Sequence, residues 1–465
     1  MEKRERLGSR LGFILLSAGC AIGIGNVWKF PYMAGQYGGG IFVLLYLFFL
    51  AVLGLPVLTM EFAIGRAAQK SPVRMYHALG AKRPWRVHGY ATLIGNTVLM
   101  MFYTTVAGWM LKYFVSTASG ELHAQVTAGM DAAAMREQFS AFFGRMLSEP
   151  WTMILFMAIV VVSSTLVLTF GVQKGLERVT KYMMLALMII MLVLAVYTCF
   201  FIPNGGAGLR FYLLPSMERL NSVGFVNAVS GAMQQAFFTL SLGVGSMAIF
   251  GSYIGKDRAL AGEALRVTVL DTAVAFCSGL IIFPACFAYG IQPDAGPNLI
   301  FITLPHVFAN MPGGRLIGSA FFVFMSFAAL STVLAVLENL IACLMDMTGW
   351  KRLTSCLVVG GGILALSLPC IFGYNIWSAF QPFGAGSTIL DLEDFVVSNL
   401  LLPLGALIFA LFCTCRYGWG WKNFFEEANT GKGAKLKKWM KPYMCYVLPV
   451  VIVAVFVASL ISFFA

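Results

Sequence analysis

Long apolar stretches recur along the whole chain, each close to the roughly 20 residues that a helix needs to cross a bilayer, with short charged segments between them. The pattern predicts spans over 10–36, 41–65, 88–116, 151–171, 177–200, 225–254, 258–290, 314–346, 352–372, 388–414 and 441–464. Two of these stretches are interrupted. Residues 19–31 read Gly-Cys-Ala-Ile-Gly-Ile-Gly-Asn-Val-Trp-Lys-Phe-Pro, and residues 237–245 read Phe-Phe-Thr-Leu-Ser-Leu-Gly-Val-Gly. A broken helix at membrane depth is tolerated only where it lines a cavity or is buried in protein. Gly243 and Gly245 alone could merely let helices approach closely. Interruptions in the first and sixth spans, at corresponding places in two five-span halves, instead point to an inverted-repeat transporter with its site at the midplane.

The expected fold class is therefore an all-α polytopic membrane protein. Its expected divisions are a cytoplasmic amino-terminal gate segment (1–9), a first five-helix repeat (10–200), an extracellular loop (201–224), a second, inverted repeat (225–414), a cytoplasmic loop (415–440) and helix 11 (441–465). Composition agrees: 59% of residues are hydrophobic and 11% charged, with a mean hydropathy of +0.82, which excludes an ordinary soluble domain. Met1–Ser9 is too charged and too short for a cleaved signal, so the first span is expected to be retained.

The net charge of +12 is explained by topology. Lysines and arginines cluster before span 1 and in the 2–3, 4–5, 6–7, 8–9 and 10–11 loops, all on one side. By the positive-inside bias this side is cytoplasmic. The amino terminus is then inside, the carboxyl terminus extracellular or periplasmic, and the location a cell (inner) membrane. No alternation of aromatic and basic residues suggests nucleic acid, and anionic lipid is at most a secondary contact.

Nothing points to an enzyme. Gly23-Ile-Gly25 runs on to Trp28 without a third glycine, no phosphate-binding lysine loop occurs, and His77, His88, His123 and His306 have no metal spacing. Cys413 and Cys415 lack the partners of a zinc site. Transport would run on a gradient, with no cofactor. Ionisable residues inside spans are functional hypotheses by default: Lys29, Glu61, Asp271, Glu338, Asp391, Glu393 and Asp394, with Asp346 at an edge. In span 8, Ser331-Thr332 would ordinarily bond back to their own helix. Beside unwound carbonyls they are what a monovalent cation needs in exchange for its water shell.

Gly23-Ile-Gly-Asn-Val-Trp-Lys-Phe-Pro-Tyr32, Gly38-Gly-Gly40, Glu61 with Gly65-Arg66, Phe102-Tyr103, Phe238-Thr-Leu-Ser241 and Ser331-Thr332 together closely resemble the neurotransmitter:sodium symporter family, from about residue 4 onward. The resemblance implies the LeuT-type fold, in its bacterial eleven-span branch, with helices 1 and 6 broken. It implies a first sodium site at Ala21, Asn26, Thr239 and Asp271, and a second at Gly19, Ile22, Ala328, Ser331 and Thr332. Substrate would lie between them, against Ala21, Ile24, Gly25, Leu99, Tyr103, Phe238, Thr239, Ser241, Val244, Thr332 and Val336. Helix ends would meet its amine and carboxylate. Sodium ions are then co-transported ligands.

Amine-transporting members carry an aspartate where this chain has Gly23, so an amino acid with its own carboxylate is expected. Val244 stands where the leucine-type protein has a bulky aromatic. With Leu99 and Val336 it implies hydrophobic L-amino acids, aliphatic to aromatic. The resemblance also implies gates: Arg4 with Asp346 inside, supported by Tyr253, and Lys29 opposite Asp394 outside, a looser pairing than an arginine would make. Asp271, with Ala275 one turn on, suggests independence from chloride. Two alternatives remain: an amino-acid sensor on the same fold without productive transport, and a chloride-dependent symporter of another small zwitterion.

Overall fold

The structure is a computed structural model that describes residues 7–126, 130–290 and 298–464. Every named element among them is helical. Among the described residues, nine helices are long and apolar enough to cross a membrane: Gly40–Ala68, Arg83–Ser119, Pro150–Thr169, Val172–Phe200, Leu260–Ala288, Gly314–Thr348, Arg352–Phe372, Ile389–Thr414 and Met440–Ile461. These are spans 2 to 5 and 7 to 11. Span 1 is the pair Arg10–Ala21 and Gly25–Gln36, bent by 58° at its break. Span 6 is the pair Phe225–Thr239 and Ser246–Gly251, neither half of which could cross alone.

Spans 3 and 5 begin earlier than hydropathy predicts, at Arg83 and Val172. Their first turns carry Arg83, Arg86 and Lys174, which lower the local hydropathy although long charged side chains are accommodated at the end of a span, where they can reach water.

Burial orders the bundle. In its most apolar stretch span 8 is 78% buried and span 3 67%, against 33% for spans 4, 5 and 11. Spans 3 and 8 pack along one another at the centre. The outer spans present Ile189, Leu192, Val193 and Val450 outward, as a lipid-facing surface must. Short helices Ala132–Ser148, Gly206–Leu213, Met217–Val223 and Leu299–Asn310 occupy the loops on one side, and Trp421–Ala428 lies on the other.

Candidate functional site

The break in span 1 follows from what surrounds it. Ile22 is extended, with φ −68° and ψ 104°, so the helix cannot continue through it. Gly23 has no room for a side chain: the Tyr103 hydroxyl occupies the place of a Cβ, and the Thr332 hydroxyl lies 2.8 Å from it. Tyr103 accepts a hydrogen bond from the Ile24 amide at 3.0 Å, and the Gly23 amide donates to Asn26 Oδ1 at 3.2 Å. Two amides freed by the break therefore find side chains, as buried backbone groups must.

The break in span 6 runs over residues 240–245, with Ser241 at φ 49°, Gly243 at 99° and Gly245 at 72°. A side chain at Gly243 would meet the Leu402 carbonyl. Glu61 and Asn96 hold this strained turn. Glu61 Oε1 accepts from the Gly243 amide at 2.6 Å. Asn96 donates to the Val244 carbonyl at 2.7 Å and accepts from the Ser246 hydroxyl at 2.9 Å. Sequence reasoning marked Glu61 but missed Asn96, an amide in the middle of span 3 that bonds the Thr92 carbonyl of its own helix as well as these two partners, which lie more than 140 residues away.

Two oxygen clusters flank the break in span 1. In the first, Asn26 Nδ2 donates to Asp271 Oδ1 at 2.8 Å and to Thr239 Oγ1 at 3.1 Å, and the Thr239 hydroxyl donates to Asp271 Oδ2 at 2.8 Å. All three residues are buried. Ala21, their fourth expected companion, lines the neighbouring cavity. Ser278, which the sequence did not single out, braces the group by donating to the Asn26 carbonyl at 2.7 Å.

In the second cluster, Thr332 Oγ1 lies within 3.3–3.5 Å of the Gly19, Cys20, Ile22 and Ala328 carbonyls. Ser331 Oγ reaches the Ala328 carbonyl at 2.9 Å and the Ile22 carbonyl at 3.5 Å. Each hydroxyl has a single proton to donate, so most of these carbonyl lone pairs share the space without a donor. Such a convergence of neutral oxygens suits a hard monovalent cation. Gly19 makes it possible: a Cβ there would crowd Thr180 and Ser331, at 3.1 and 3.2 Å.

Between the clusters lies a cavity lined by Ala21, Gly25, Leu99, Tyr103, Phe238, Ser241, Val244 and Thr332. Cys20 and Gly23 join them, with Val397 and Leu402 of span 10, which the sequence did not signal because both are ordinary apolar residues of an apolar span. Three expected members fall elsewhere. Ile24 contributes its amide to Tyr103, Thr239 faces Asp271, and Val336, one turn beyond Thr332, is packed into the core.

The outer gate differs from expectation. Lys29 does not form an ion pair with Asp394 among the described residues. Its ammonium sits 3.9 Å from the centre of the Phe238 ring, and Asp394 accepts from the Ser398 hydroxyl at 2.6 Å. A lysine is a point charge that a ring face satisfies without the geometry of a carboxylate fork. Phe238 also packs against Gly25, so this ring and its cation cover the cavity together.

On the other side, Arg4 lies outside the described residues. Asp346 accepts from the Ser71 amide at 2.7 Å and lies 3.5 Å from Lys70. Tyr253 donates to Glu338 at 2.7 Å, and its carbonyl accepts from the Leu7 amide at 3.4 Å. Glu338 is fully buried and paired with Arg352, which keeps a charge tolerable there. Entry into span 1 is fixed by Glu177, which accepts from the Gly8 and Ser9 amides and the Ser9 hydroxyl at 2.7–3.1 Å. Arg10 meets Glu263 at 2.8 Å.

Comparison with known proteins agrees with this geometry. The profile of the sodium:neurotransmitter symporter family matches residues 4–131 and 138–465. An uncharacterized sodium-dependent transporter of Bacillus subtilis, YhdH, is 36% identical over 414 residues, 88% of each chain. A second uncharacterized sodium-dependent transporter, of Haemophilus influenzae, is 30% identical over 468 residues, 99% of each. The crystal structure of MhsT in complex with L-phenylalanine matches with a TM-score of 0.85 and 34% identity, over 98% of this chain and 100% of that one. Two broken helices around paired oxygen clusters, and a family match over almost the whole length, lead to one conclusion: the chain belongs to the sodium:neurotransmitter symporter family and is a sodium-dependent membrane transporter of the LeuT fold.

Proposed function

We propose that the protein imports a hydrophobic L-amino acid, aliphatic to aromatic, together with sodium, by alternating access around the two breaks. The observation that carries this reading is the convergence of the Gly19, Cys20, Ile22 and Ala328 carbonyls on Thr332, beside a cavity walled by Leu99, Phe238 and Val244. Thr332 belongs to both, so ion and substrate share a wall. The first cluster, Asn26, Thr239 and Asp271, supplies a second sodium site with a fixed negative charge, and Ala21 adds a carbonyl. That charge supports independence from chloride.

The zwitterion would present its carboxylate to the Ile24 and Gly25 amides and Tyr103. Its amine would meet the carbonyl end of the unwound segment near Ser241. The absence of an acidic side chain at Gly23, where the Tyr103 hydroxyl fills the place of a Cβ, supports a substrate with its own carboxylate. That MhsT was crystallised with L-phenylalanine supports an aromatic within the accepted range.

The cation-rich loops support an amino-terminal side in the cytoplasm, with the far end of span 11 outside. Two sodium ions moving inward down 100 mV and a tenfold gradient supply roughly 7 kcal/mol, enough for about a 10⁵-fold substrate gradient.

The test is uptake of a labelled amino-acid panel into proteoliposomes, with and without an inward sodium gradient. Gradient-dependent accumulation of leucine, phenylalanine or tryptophan is expected, unchanged when gluconate replaces chloride. Sodium-dependent binding without accumulation would overturn the transport reading in favour of a sensor. Accumulation only of small polar amino acids would overturn the substrate class.

A further inference from the structure

Among the described residues, every buried carboxylate but one has a donor. Asp271 is held by Asn26 and Thr239, Glu61 by the Gly243 amide, Glu338 by Arg352 and Tyr253, Glu263 by Arg10 and Arg266, and Glu177 by the backbone of Gly8 and Ser9. Glu393 is the exception. It lies in the first turns of span 10, is 5% exposed, and neither of its oxygens has a hydrogen-bond partner.

Its surroundings offer no compensating charge. The polar group beside it is the Cys370 thiol, at the end of span 9, a weak donor that is near the carboxyl without meeting hydrogen-bond geometry and that also touches the Thr105 hydroxyl of span 3. The Tyr374 phenol, just beyond span 9, is the next ionisable neighbour. On its own helix, Asp391 is engaged by the Thr388 amide and hydroxyl at 2.7 and 2.9 Å, and Asp394 by Ser398. Span 3 presents no ionisable side chain to it, and no lysine, arginine or histidine pairs with it among the described residues. An ionised carboxylate with no counter-ion and no well-placed donor is strongly disfavoured in such a place, whereas a protonated one is tolerated far better.

We propose that Glu393 is a proton-binding site: its carboxyl is protonated while the start of span 10 packs against spans 3 and 9, and gives up that proton when this packing opens. The step is a simple acid dissociation. The O–H bond breaks, the electron pair stays on the carboxylate, and the proton passes to water on the side facing away from the amino terminus. Packing there is close, since a Cβ at Gly373 would lie 3.1 Å from Ile389, so water or a donor reaches Glu393 only when the segments separate. The site neighbours Asp394 and belongs to neither oxygen cluster. Proton release is thereby linked to opening of the half of the bundle that carries Lys29 and Phe238. For one proton, the packed-to-open ratio falls with rising pH by at most about tenfold per unit.

Two measurements on the full-length protein in lipid nanodiscs test this, and neither needs a substrate, so their failure is separable from that of the proposed function. In infrared difference spectra, the carbonyl band of a protonated carboxyl is expected at neutral pH and is lost in both Glu393→Gln and Glu393→Met. Glu393→Met replaces the acid with an apolar chain of similar length and is expected to fold, since it removes a buried polar group that lacks a partner. Identical spectra in wild type and variants would overturn the proposal. So would a band seen only when sodium is removed, which would mark the carboxylate as a cation ligand. Alkylation of Cys370, read by peptide mass spectrometry, should rise more steeply with pH in wild type than in Glu393→Met, whose slope reports the thiol alone. Equal slopes would overturn the link to opening.

Discussion

Thr332 Oγ1 lies 3.3 Å from the Ile22 carbonyl, across a sequence separation of 310 residues. Ile22 is the residue at which span 1 stops being helical, so its carbonyl has lost its place in the helix ladder. Thr332 sits on unbroken span 8. The contact joins the segment most able to change shape to one of the two most buried helices, and a cation held there would tie the two together.

Thr332→Ala removes one oxygen from this cluster and leaves the carbonyls facing each other. The sodium concentration for half-maximal binding is expected to rise about tenfold or more, the loss of a little over 1 kcal/mol. Thr332→Ser, which keeps the hydroxyl, should remain near wild type. Binding of radiolabelled sodium to purified protein reads this directly, and an unchanged curve for the alanine variant would remove Thr332 from the cation site.

Asp271→Asn keeps the shape of the first cluster but removes its charge. Sodium affinity is expected to fall, and a chloride requirement absent from wild type should emerge, because the anion then balances the cation. Uptake against sodium, in chloride and in gluconate, compares the two proteins. Chloride dependence already present in wild type would show that Asp271 is not the balancing charge.

Val244→Phe places a ring in the cavity wall, where the Val244 carbonyl is fixed by Asn96 and the facing Gly95 leaves space. Tryptophan affinity is expected to fall about tenfold or more relative to leucine, since filling or vacating a few carbons of an apolar pocket changes discrimination by about 1–3 kcal/mol. Competition binding with both amino acids checks it. Equal losses for both would mean that Val244 does not select side-chain size.

Asn96→Ala leaves the Val244 carbonyl and Ser246 hydroxyl without their buried partner. The protein is expected to lose about 1–3 kcal/mol of stability, read as a lower Tm in detergent. Substrate affinity should fall with it, because the strained turn at residues 240–245 loses one of its two anchors. A variant with normal Tm and affinity would show that Glu61 alone holds the turn.

The sequence by itself determined the membrane class, the number and approximate limits of the spans, and the two helices that break, because bilayer thickness and helix rise turn local hydropathy into topology. It also marked Gly23, Asn26, Asp271, Ser331 and Thr332, through the interruption of span 1, the cost of a charge inside a span and the family resemblance that these residues carry together. Tertiary structure decided what those residues meet. Asn96, Ser278 and Glu177 hold backbone groups at sequence separations of roughly 150 to 250 residues, and no local pattern encodes such partners. The departure of Lys29 from Asp394 toward Phe238 came from the same source: a lysine ammonium takes whichever electron-rich group the packing brings within reach. Glu393 shows the converse. Its position in the sequence announced a buried acid, but only packing could show that no donor comes to it, because the satisfaction of a polar group is a property of its neighbours and not of its own segment.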